Sequence, residues 1–316
     1  MGTVPISPLR VGVVGVGALG RHHARILATL DGVELAAVVD VDRSRADAVA
    51  QATGAQALYD FRDLLDRVDA VTLAVPTALH RDVALAFLDR GTPVLVEKPM
   101  AGSLREADDM IAAADRTHAV LAVGHTERYN PAVDAVRPLL TTPRFIEVHR
   151  LGAFPDRSLD IDVIFDLMIH DLDVVTSIVR APITRIEAVG VPVLTTKVDI
   201  ANVRLRFEDG CIANLTASRI SRDRVRKMRF FQPDAYIAID FAAREAEAWR
   251  LVRRDGREPA IEGGKLPVTA AEPLERELAD FVEAVQRKRA PVITGEQGRE
   301  ALRLAERVAA EVERNL

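Results

Sequence analysis

Between residues 9 and 123, short apolar segments alternate with longer amphipathic ones. The apolar segments are nearly continuous in Val, Ala and Leu, which is typical of parallel strands buried on both faces. They read LRVGVVG, VELAAVVD, AVTLAV, PVLVEK and AVLAVG. The amphipathic segments have helical spacing and cover residues 18–30, 43–53, 78–90 and 103–117. This alternation predicts a doubly wound parallel sheet of the α/β class, with helices on both faces.

The pattern changes after residue 124. Helices are predicted at residues 131–140 and near residues 273–289 and 296–315, while the region between them consists of short apolar segments that mostly end at Gly, Asp or Pro. These segments read RFIEVHRLG, ITRIEAVGVPVL, DIANVRLRF, CIANLTASRI, VRKMRFFQ and AYIAIDF. Successive short strands predict a mainly antiparallel sheet. We therefore expect a dinucleotide-binding α/β domain over residues 1–126 and an α+β domain over residues 127–316.

Composition narrows the possible partners. Of the 316 residues, 48% are hydrophobic and 28% are charged, and the formal net charge of −5 argues against bulk attraction to nucleic acid. No apolar run approaches the roughly 20 residues that cross a bilayer, and the first residues lack the features of a signal peptide. Cys211 is the single cysteine and cannot form an internal disulfide. We expect a soluble cytoplasmic protein that binds neither membranes nor nucleic acid.

A glycine-rich motif directly follows the first predicted strand and opens the first predicted helix. It consists of Gly15, Val16, Gly17, Ala18, Leu19 and Gly20. In this context Gly15 makes the tight turn, Gly17 lets the backbone approach a pyrophosphate, and Gly20 permits close packing of the helix on the strand. The N–H groups at the start of the helix would face the phosphates. The motif predicts a dinucleotide site, and a glycine-rich turn without a ligand is the alternative.

Asp40 ends the second predicted strand, where an acid accepts hydrogen bonds from the hydroxyl groups of the adenosine ribose. Its charge would repel a 2′-phosphate, so the sequence favours NAD over NADP. Arg43 and Arg45 lie close by in the sequence and would weaken this preference if they faced the same site. Solvated positions at the start of a helix are the alternative for both arginines.

The segment FDLMIHDLDVV, residues 165–175, places a histidine and several aspartates within an apolar helix. One stripe of this helix would carry Asp162, Asp166, His170, Asp173 and Ser177. A solvated helix face is one interpretation, but no Lys, Arg, Glu or Gln occurs between Ile161 and Val179, which favours the wall of a pocket. Asp171 and Asp173 could mimic a metal cluster, yet no second histidine lies near, so we expect no metal.

Lys98 follows the strand PVLVEK, and ligands of doubly wound sheets bind beyond the carboxyl ends of the strands. We therefore expect Lys98 to face the cofactor, with a solvated lysine as the alternative. Four motifs occur in order along the chain: GxGxxG at 15–20, AVPTALH at 74–80, EKP at 97–99 and DxxxH at 166–170. Together they resemble the Gfo/Idh/MocA oxidoreductase family, and the resemblance extends over essentially the whole chain.

The resemblance implies a Rossmann domain followed by a domain with an open-faced sheet, and an enzyme that forms homodimers or homotetramers. It also implies hydride transfer between a nicotinamide and a hydroxyl-bearing carbon of a sugar or cyclitol. It assigns the family's catalytic lysine to Lys98 and its Asp–His pair to Asp166 and His170. By the same resemblance the cofactor site would include Pro76, Thr77, His80 and Glu97, and the sugar site His125, Arg128 and Tyr129. For His80 a structural role at a helix start is the favoured alternative. For Arg128 an interdomain ion pair is an equal alternative.

The residue types are suited to alcohol oxidation. His170, with an ordinary pKa near 6.5, can accept the hydroxyl proton at neutral pH. Asp166 lies four residues earlier and can orient the imidazole. Lys98 can donate a hydrogen bond to the same oxygen and stabilise developing alkoxide charge. Whether His170 alone accepts the proton or shares it with Lys98 stays open.

The run SRDRVRKMR, residues 221–229, holds five basic residues against one acid. A solvated strand edge is one interpretation, and a grip on an anionic substrate such as a nucleotide diphosphate is the other. Several second-domain segments resemble a family branch associated with UDP-N-acetylglucosamine 3-dehydrogenase activity. That activity produces a 3-keto sugar, which is the precursor of the 2,3-diamino sugar in lipid A. An inositol or simple sugar dehydrogenase is one alternative. A non-catalytic NAD-sensing regulator is another, which the presence of Lys98 and His170 disfavours.

Overall fold

The computed structural model describes residues 7–154, 161–255 and 257–315. The chain forms two compact units. The first unit runs to His125 and also takes in Leu274–Leu302, while the second comprises Thr126–Pro273 and the chain from Arg303 onwards. The predicted division at residue 126 treated each domain as one continuous segment, whereas the chain returns to the first unit near its end. Among the described residues, no helix is long and apolar enough to cross a membrane.

The first unit contains a parallel sheet, as predicted, and the sheet has six strands, one more than the sequence indicated. Its strands are β1 Leu9–Val14, β2 Val33–Val39, β3 Gln56–Leu58, β4 Ala70–Leu73, β5 Val94–Glu97 and β6 Leu121–Gly124. Their order is β3-β2-β1-β4-β5-β6, so the chain reverses direction across the sheet beside β1. Sequence reasoning missed β3, because an edge strand of three residues carries too little periodicity to be recognised.

The helices of this unit begin and end close to the predicted positions. They are α1 Gly20–Leu27, α2 Arg43–Thr53, α3 His80–Leu88 and α4 Leu104–Thr117, followed late in the chain by α7 Pro273–Arg287 and the start of α8 Gly295–Arg314. The side chain of Asp42 caps α2 and that of Ser103 caps α4, each by accepting a backbone N–H of the first turn. A 3₁₀ turn, Thr77–Leu79, precedes α3.

The helix α7 belongs to the core of the first unit. Its apolar face buries Leu278 and Phe281 completely, in one cluster with Val11 and Val13 of β1 and Leu27 of α1. Burying side chains of this size stabilises a fold by about 1.5–3 kcal/mol each. This contribution from the end of the chain explains why the first unit is not a continuous segment.

The second unit contains an eight-stranded sheet in the order β14-β13-β12-β11-β7-β10-β9-β8. Its strands are β7 Phe145–Leu151, β8 Ile183–Val191, β9 Ile200–Phe207, β10 Ile212–Ser218, β11 Val225–Gln232, β12 Ala235–Asp240, β13 Glu245–Val252 and β14 Ala260–Lys265. Every pair is antiparallel except β7 with β10. The predicted fold class, a Rossmann α/β unit followed by an α+β unit with a mainly antiparallel sheet, is confirmed.

One face of this sheet is buried and the other is open. Along β9 the side chains of Val203 and Leu205 are buried, whereas Asn202 and Arg206 are exposed. Helices on the buried side include α5 Pro131–Val136 and α6 Ile169–Ile178. The strands β13 and β14 were not predicted, because charged residues interrupt the first and two glycines lie in the second.

Candidate functional site

The glycine-rich turn links β1 to α1 within the first unit. Gly15 has φ +83°, a left-handed conformation that favours glycine, and a Cβ on it would lie 2.8 Å from the backbone of Ala74. A Cβ on Gly20 would lie 1.8 Å from the Gly15 carbonyl oxygen, so the helix can approach the turn only through a glycine. At Gly17 the nearest atom to such a Cβ is Arg45 Nη1, at 3.8 Å, so the backbone there is open to an approaching group.

Ala18 and Leu19 are exposed in the same turn, and α1 starts at Gly20 rather than at residue 18. Their backbone therefore lies at the start of the helix, where N–H groups have no partners within the helix itself. This arrangement matches the geometry that binds a pyrophosphate in Rossmann folds.

Asp40 lies directly beside the turn. Its carboxylate is nearly buried and accepts hydrogen bonds from the backbone N–H of Val16, at 3.0 Å, and of Asp42, also at 3.0 Å. The guanidinium of Arg45 lies 3.3 Å from one Asp40 oxygen and 3.4 Å from the other. Arg43 instead stacks on the ring of Tyr59, at 4.2 Å from the ring centre. Both an acid and an arginine are therefore present where an adenosine ribose or its 2′-phosphate would bind.

The loops that follow β4 and β5 are joined by His80. Its ring nitrogens lie 2.9 Å from the Val75 carbonyl oxygen and 3.0 Å from that of Pro99, and the side chain is buried. Burial lowers the pKa of His80, although the two carbonyls act in the opposite direction. Pro76 and Thr77 follow the carboxyl end of β4, where Pro76 is exposed and Thr77 is partly buried. His80 thus connects two loops, which agrees with the structural alternative for this residue.

Lys98 is half-buried and directly follows the carboxyl end of β5, the edge of a parallel sheet at which ligands bind. The preceding residue, Glu97, is almost completely buried, and its carboxylate accepts the backbone N–H of Lys98 at 3.2 Å and contacts His23 Nε2 at 3.1 Å. Gly124 makes room for this carboxylate, because a Cβ there would lie 2.9 Å from it. Glu97 therefore holds the backbone at Lys98.

Sequence reasoning missed the surroundings of Glu97. His23 of α1, Glu97 and Glu277 of α7 are all buried, and one donor atom from each lies within 4.8 Å of the others. Three ligand atoms this close together could hold a metal ion, whereas the expectation from the sequence was that no metal binds. The cluster could not be recognised in the sequence, because its members are separated by more than 70 and by 180 residues.

In the second unit, Asp166 and His170 lie on consecutive helical segments. Asp166 is in a π-helical turn, Ile164–Met168, in which the N–H of Ile169 donates to the Ile164 carbonyl, and His170 is the second residue of α6. Both side chains are partly buried. A π-helical turn inside a helix is frequently found at functional sites. The predicted single helix is thus interrupted where Asp166 lies.

The predicted polar stripe is only partly formed. Asp162 lies before the helix, and its carboxylate accepts the N–H of Val198 at 2.8 Å. Asp173 is buried and forms an ion pair with Arg128 at 3.3 Å, so Arg128 pairs within the second unit. His125 and Tyr129, the other predicted sugar contacts, are both buried.

A buried arginine holds α6 against the sheet. Arg150 of β7 donates two hydrogen bonds to Asp171, at 2.7 and 2.8 Å, and a third to Glu127 at 2.9 Å. Burial alone would lower the pKa of Arg150, but the two carboxylates raise it above its ordinary value. Because Asp171 is the neighbour of His170, these contacts hold α6 to the sheet at the residue next to the imidazole.

The first unit therefore has the turn, the acid and the helix start of a dinucleotide-binding Rossmann fold, and the residues present fit a nicotinamide dinucleotide. Residues 9–125 match the oxidoreductase family with an NAD-binding Rossmann fold, and residues 141–235 match the Gfo/Idh/MocA C-terminal domain. The protein is an oxidoreductase that uses a nicotinamide cofactor. It belongs to the Gfo/Idh/MocA family, as the resemblance predicted.

Individual relatives agree with this assignment. The chain is 38% identical to a UDP-N-acetylglucosamine 3-dehydrogenase of Acidithiobacillus ferrooxidans over 96% of this chain and 97% of that protein. A crystal form of that enzyme superimposes with a TM-score of 0.89, at 37% identity over 97% of this chain and 98% of the other. An inositol 2-dehydrogenase of Corynebacterium glutamicum is 33% identical over 57% of this chain and 56% of its own length.

The buried ion pairs of α6 lead to a prediction about stability. The substitution Arg150→Met should lower the free energy of unfolding by about 3–5 kcal/mol, because Asp171 and Glu127 would stay buried without their cation. Arg229→Met is the matched control, since its pair with Glu147 is partly exposed and should contribute less than about 1 kcal/mol. Urea denaturation of both variants measures the difference. Equal effects would show that the Arg150 contacts contribute little.

Proposed function

We propose that this protein oxidises the C3 hydroxyl group of UDP-N-acetylglucosamine to a ketone, with NAD as the hydride acceptor. The observation that carries the proposal is the 38% identity to a UDP-N-acetylglucosamine 3-dehydrogenase, which extends over 96% of the chain and thus over both units. The 3-keto sugar is then a substrate for transamination towards the 2,3-diamino sugar of lipid A. The proposed compartment is the cytoplasm, in agreement with the single cysteine.

In the proposed chemistry the sugar alcohol loses two hydrogens, the one on carbon as a hydride and the one on oxygen as a proton. A bound nicotinamide would supply the acceptor for the hydride. His170 takes the hydroxyl proton, Asp166 orients the imidazole, and Lys98 donates a hydrogen bond to the same oxygen as negative charge develops on it. The contact of Glu97 with the backbone of Lys98 supports the role of a positioned lysine.

Oxidation of inositol or a simple sugar is the second candidate. The specific observation in its favour is the 33% identity to inositol 2-dehydrogenase, but it covers little more than half of the chain. A neutral substrate also gives no role to the basic run at residues 221–229. The non-catalytic alternative is disfavoured by Lys98 and His170.

Turnover separates these candidates. We expect reduction of NAD, followed at 340 nm, upon addition of UDP-N-acetylglucosamine but not of myo-inositol or free N-acetylglucosamine.

Lys98→Ala should reduce kcat by at least about 100-fold, because a hydrogen bond to the developing alkoxide is lost, while NAD binding is retained. Arg105→Ala, an exposed substitution in α4, is the control and should behave as the wild type. Oxidation of inositol alone, or a fully active Lys98→Ala variant, would contradict the proposal.

The preference for NAD is proposed to depend on the balance between Asp40 and Arg45. Asp40→Ala should weaken NAD binding roughly 10- to 100-fold through the loss of charge-assisted hydrogen bonds to the ribose. The same change releases Arg45 for a 2′-phosphate, so NADP binding should weaken less or improve. Fluorescence titration with NADH and NADPH measures both affinities, with Asp47→Ala as the control. Unchanged affinities for both cofactors would refute the ribose contact.

We also propose that the protein is a homodimer or homotetramer associated through the open face of the second sheet. Four aromatic residues on neighbouring strands cross this face in register: Phe145, Phe231, Tyr236 and Trp249. Three of the rings are in contact, with centroids 5.5 Å apart for Phe145 and Phe231 and 5.4 Å apart for Phe231 and Tyr236. Phe231 and Trp249 are nevertheless 37% and 41% exposed, which is unfavourable for large apolar side chains on a solvated face.

Substituting both exposed rings, Phe231→Glu and Trp249→Glu, should dissociate the assembly, because two charges would enter an apolar contact. Sedimentation velocity measures the change in mass. The exposed control Ile261→Glu, on the edge strand β14, tests whether any charge on this sheet has the same effect. A wild-type protein that sediments as a monomer would overturn the proposal.

A further inference from the structure

Strand β11 places the basic residues of the run at residues 221–229 on two different faces of the sheet. Lys227 and Arg229 project from the open face of the sheet, where Lys227 pairs with Asp240 at 3.4 Å and Arg229 with Glu147 at 2.8 Å. Arg226 alternates to the other face, together with the buried Met228 and Phe230. The two halves of the run therefore have different surroundings, and only the open-face half is neutralised by acids.

Arg226 lies on the side of the sheet that carries α6. In the strand register it is directly opposite Arg150, the residue that binds Asp171 of α6. Burial raises the pKa of the Asp171 carboxyl, and Arg150 and Arg226 both oppose this rise, so Arg226 lies within electrostatic reach of the residue next to His170. Arg226 is exposed, unlike Arg150.

Two more exposed arginines, Arg222 and Arg224, lie in the segment that leads into β11. With Arg226 they form what we call the arginine segment, whose one acid is Asp223. Within residues 7–154, 161–255 and 257–315, none of the three arginines forms an ion pair. In a chain with a net charge of −5, three arginines within five residues that form no ion pair in the described part of the chain are an unusual local excess of positive charge.

The arginine segment is also held in place. The N–H of Ser221 donates to the Gly152 carbonyl oxygen at 2.9 Å, and its hydroxyl lies 2.9 Å from that of Ser218. Gly152 follows the carboxyl end of β7, and Ser218 ends the neighbouring parallel strand β10. The chain just before the arginines is therefore anchored at this edge of the sheet, which reduces the entropy that a ligand would have to offset on binding.

We propose that Arg226, with Arg224 and Arg222 beside it, binds the diphosphate group of a nucleoside-diphosphate sugar whose sugar ring is presented to His170. A diphosphate carries the charge and the oxygen atoms that guanidinium groups bind in pairs of hydrogen bonds. The identification of the sugar rests on the proposed function, whereas the diphosphate subsite rests on the arginines. The subsite distinguishes nucleotide sugars from inositol and free sugars, which lack this group.

The test uses UDP alone, which has the diphosphate but no carbon to oxidise. Isothermal titration calorimetry with the NAD-loaded protein should show UDP binding to the wild type and roughly 10- to 100-fold weaker binding to Arg226→Gln, because charged hydrogen bonds are lost. Arg226→Lys should restore part of the affinity, since it keeps the charge and loses the paired geometry. Lys227→Gln, on the opposite face of the same strand, is the matched control and should bind UDP as the wild type does.

Steady-state kinetics complete the test. Arg226→Gln should raise KM for UDP-N-acetylglucosamine and leave KM for NAD unchanged. Equal UDP affinity of the wild type and of Arg226→Gln would overturn the subsite, as would an equal loss in Lys227→Gln. If UDP binding depends on Arg226 but no nucleotide sugar is oxidised, the subsite stands and the proposed reaction fails. Retention of NAD binding by each variant shows that the chain has folded.

Discussion

The first unit depends on the close approach of α1 to the turn that follows β1. A Cβ on Gly20 would come within 1.8 Å of the Gly15 carbonyl oxygen, so no other residue permits this contact without displacing the helix. With the helix in this position, the backbone at Gly17 stays open. The carboxylate of Asp40 accepts a hydrogen bond from the N–H of Val16 in the same turn. One steric constraint therefore places the helix start, the open backbone and the acid together.

A different kind of contact organises the second unit. Arg150 is buried beneath α6 and is neutralised by Asp171 and Glu127, while Arg128 pairs with Asp173 on the same helix. Removing a charge from water is expensive, so such pairs are stable only when their geometry is nearly complete. The helix that carries His170 is thereby held in one position. In both units, groups proposed to act on substrate lie beside residues that fix the local backbone.

Glu97 connects the residue Lys98 to the helix α7, which comes late in the chain. Its carboxylate holds the N–H of Lys98 and lies with His23 and Glu277 in one buried cluster. Glu277 comes from α7, the helix whose apolar face completes the core of the first unit. The helix α7 therefore contributes both to the stability of this unit and to the environment of the residue that precedes Lys98.

The sequence alone determined the parallel and antiparallel sheets, the glycine-rich turn and the position of Asp40, because local periodicity and short motifs encode them. It also indicated the family. Only the tertiary structure decided that α7 belongs to the first unit and that Asp162, Asp171 and Asp173 are used in structural contacts. Each of these facts depends on residues far apart in the chain, and strand register and long-range burial leave no local signal in the sequence.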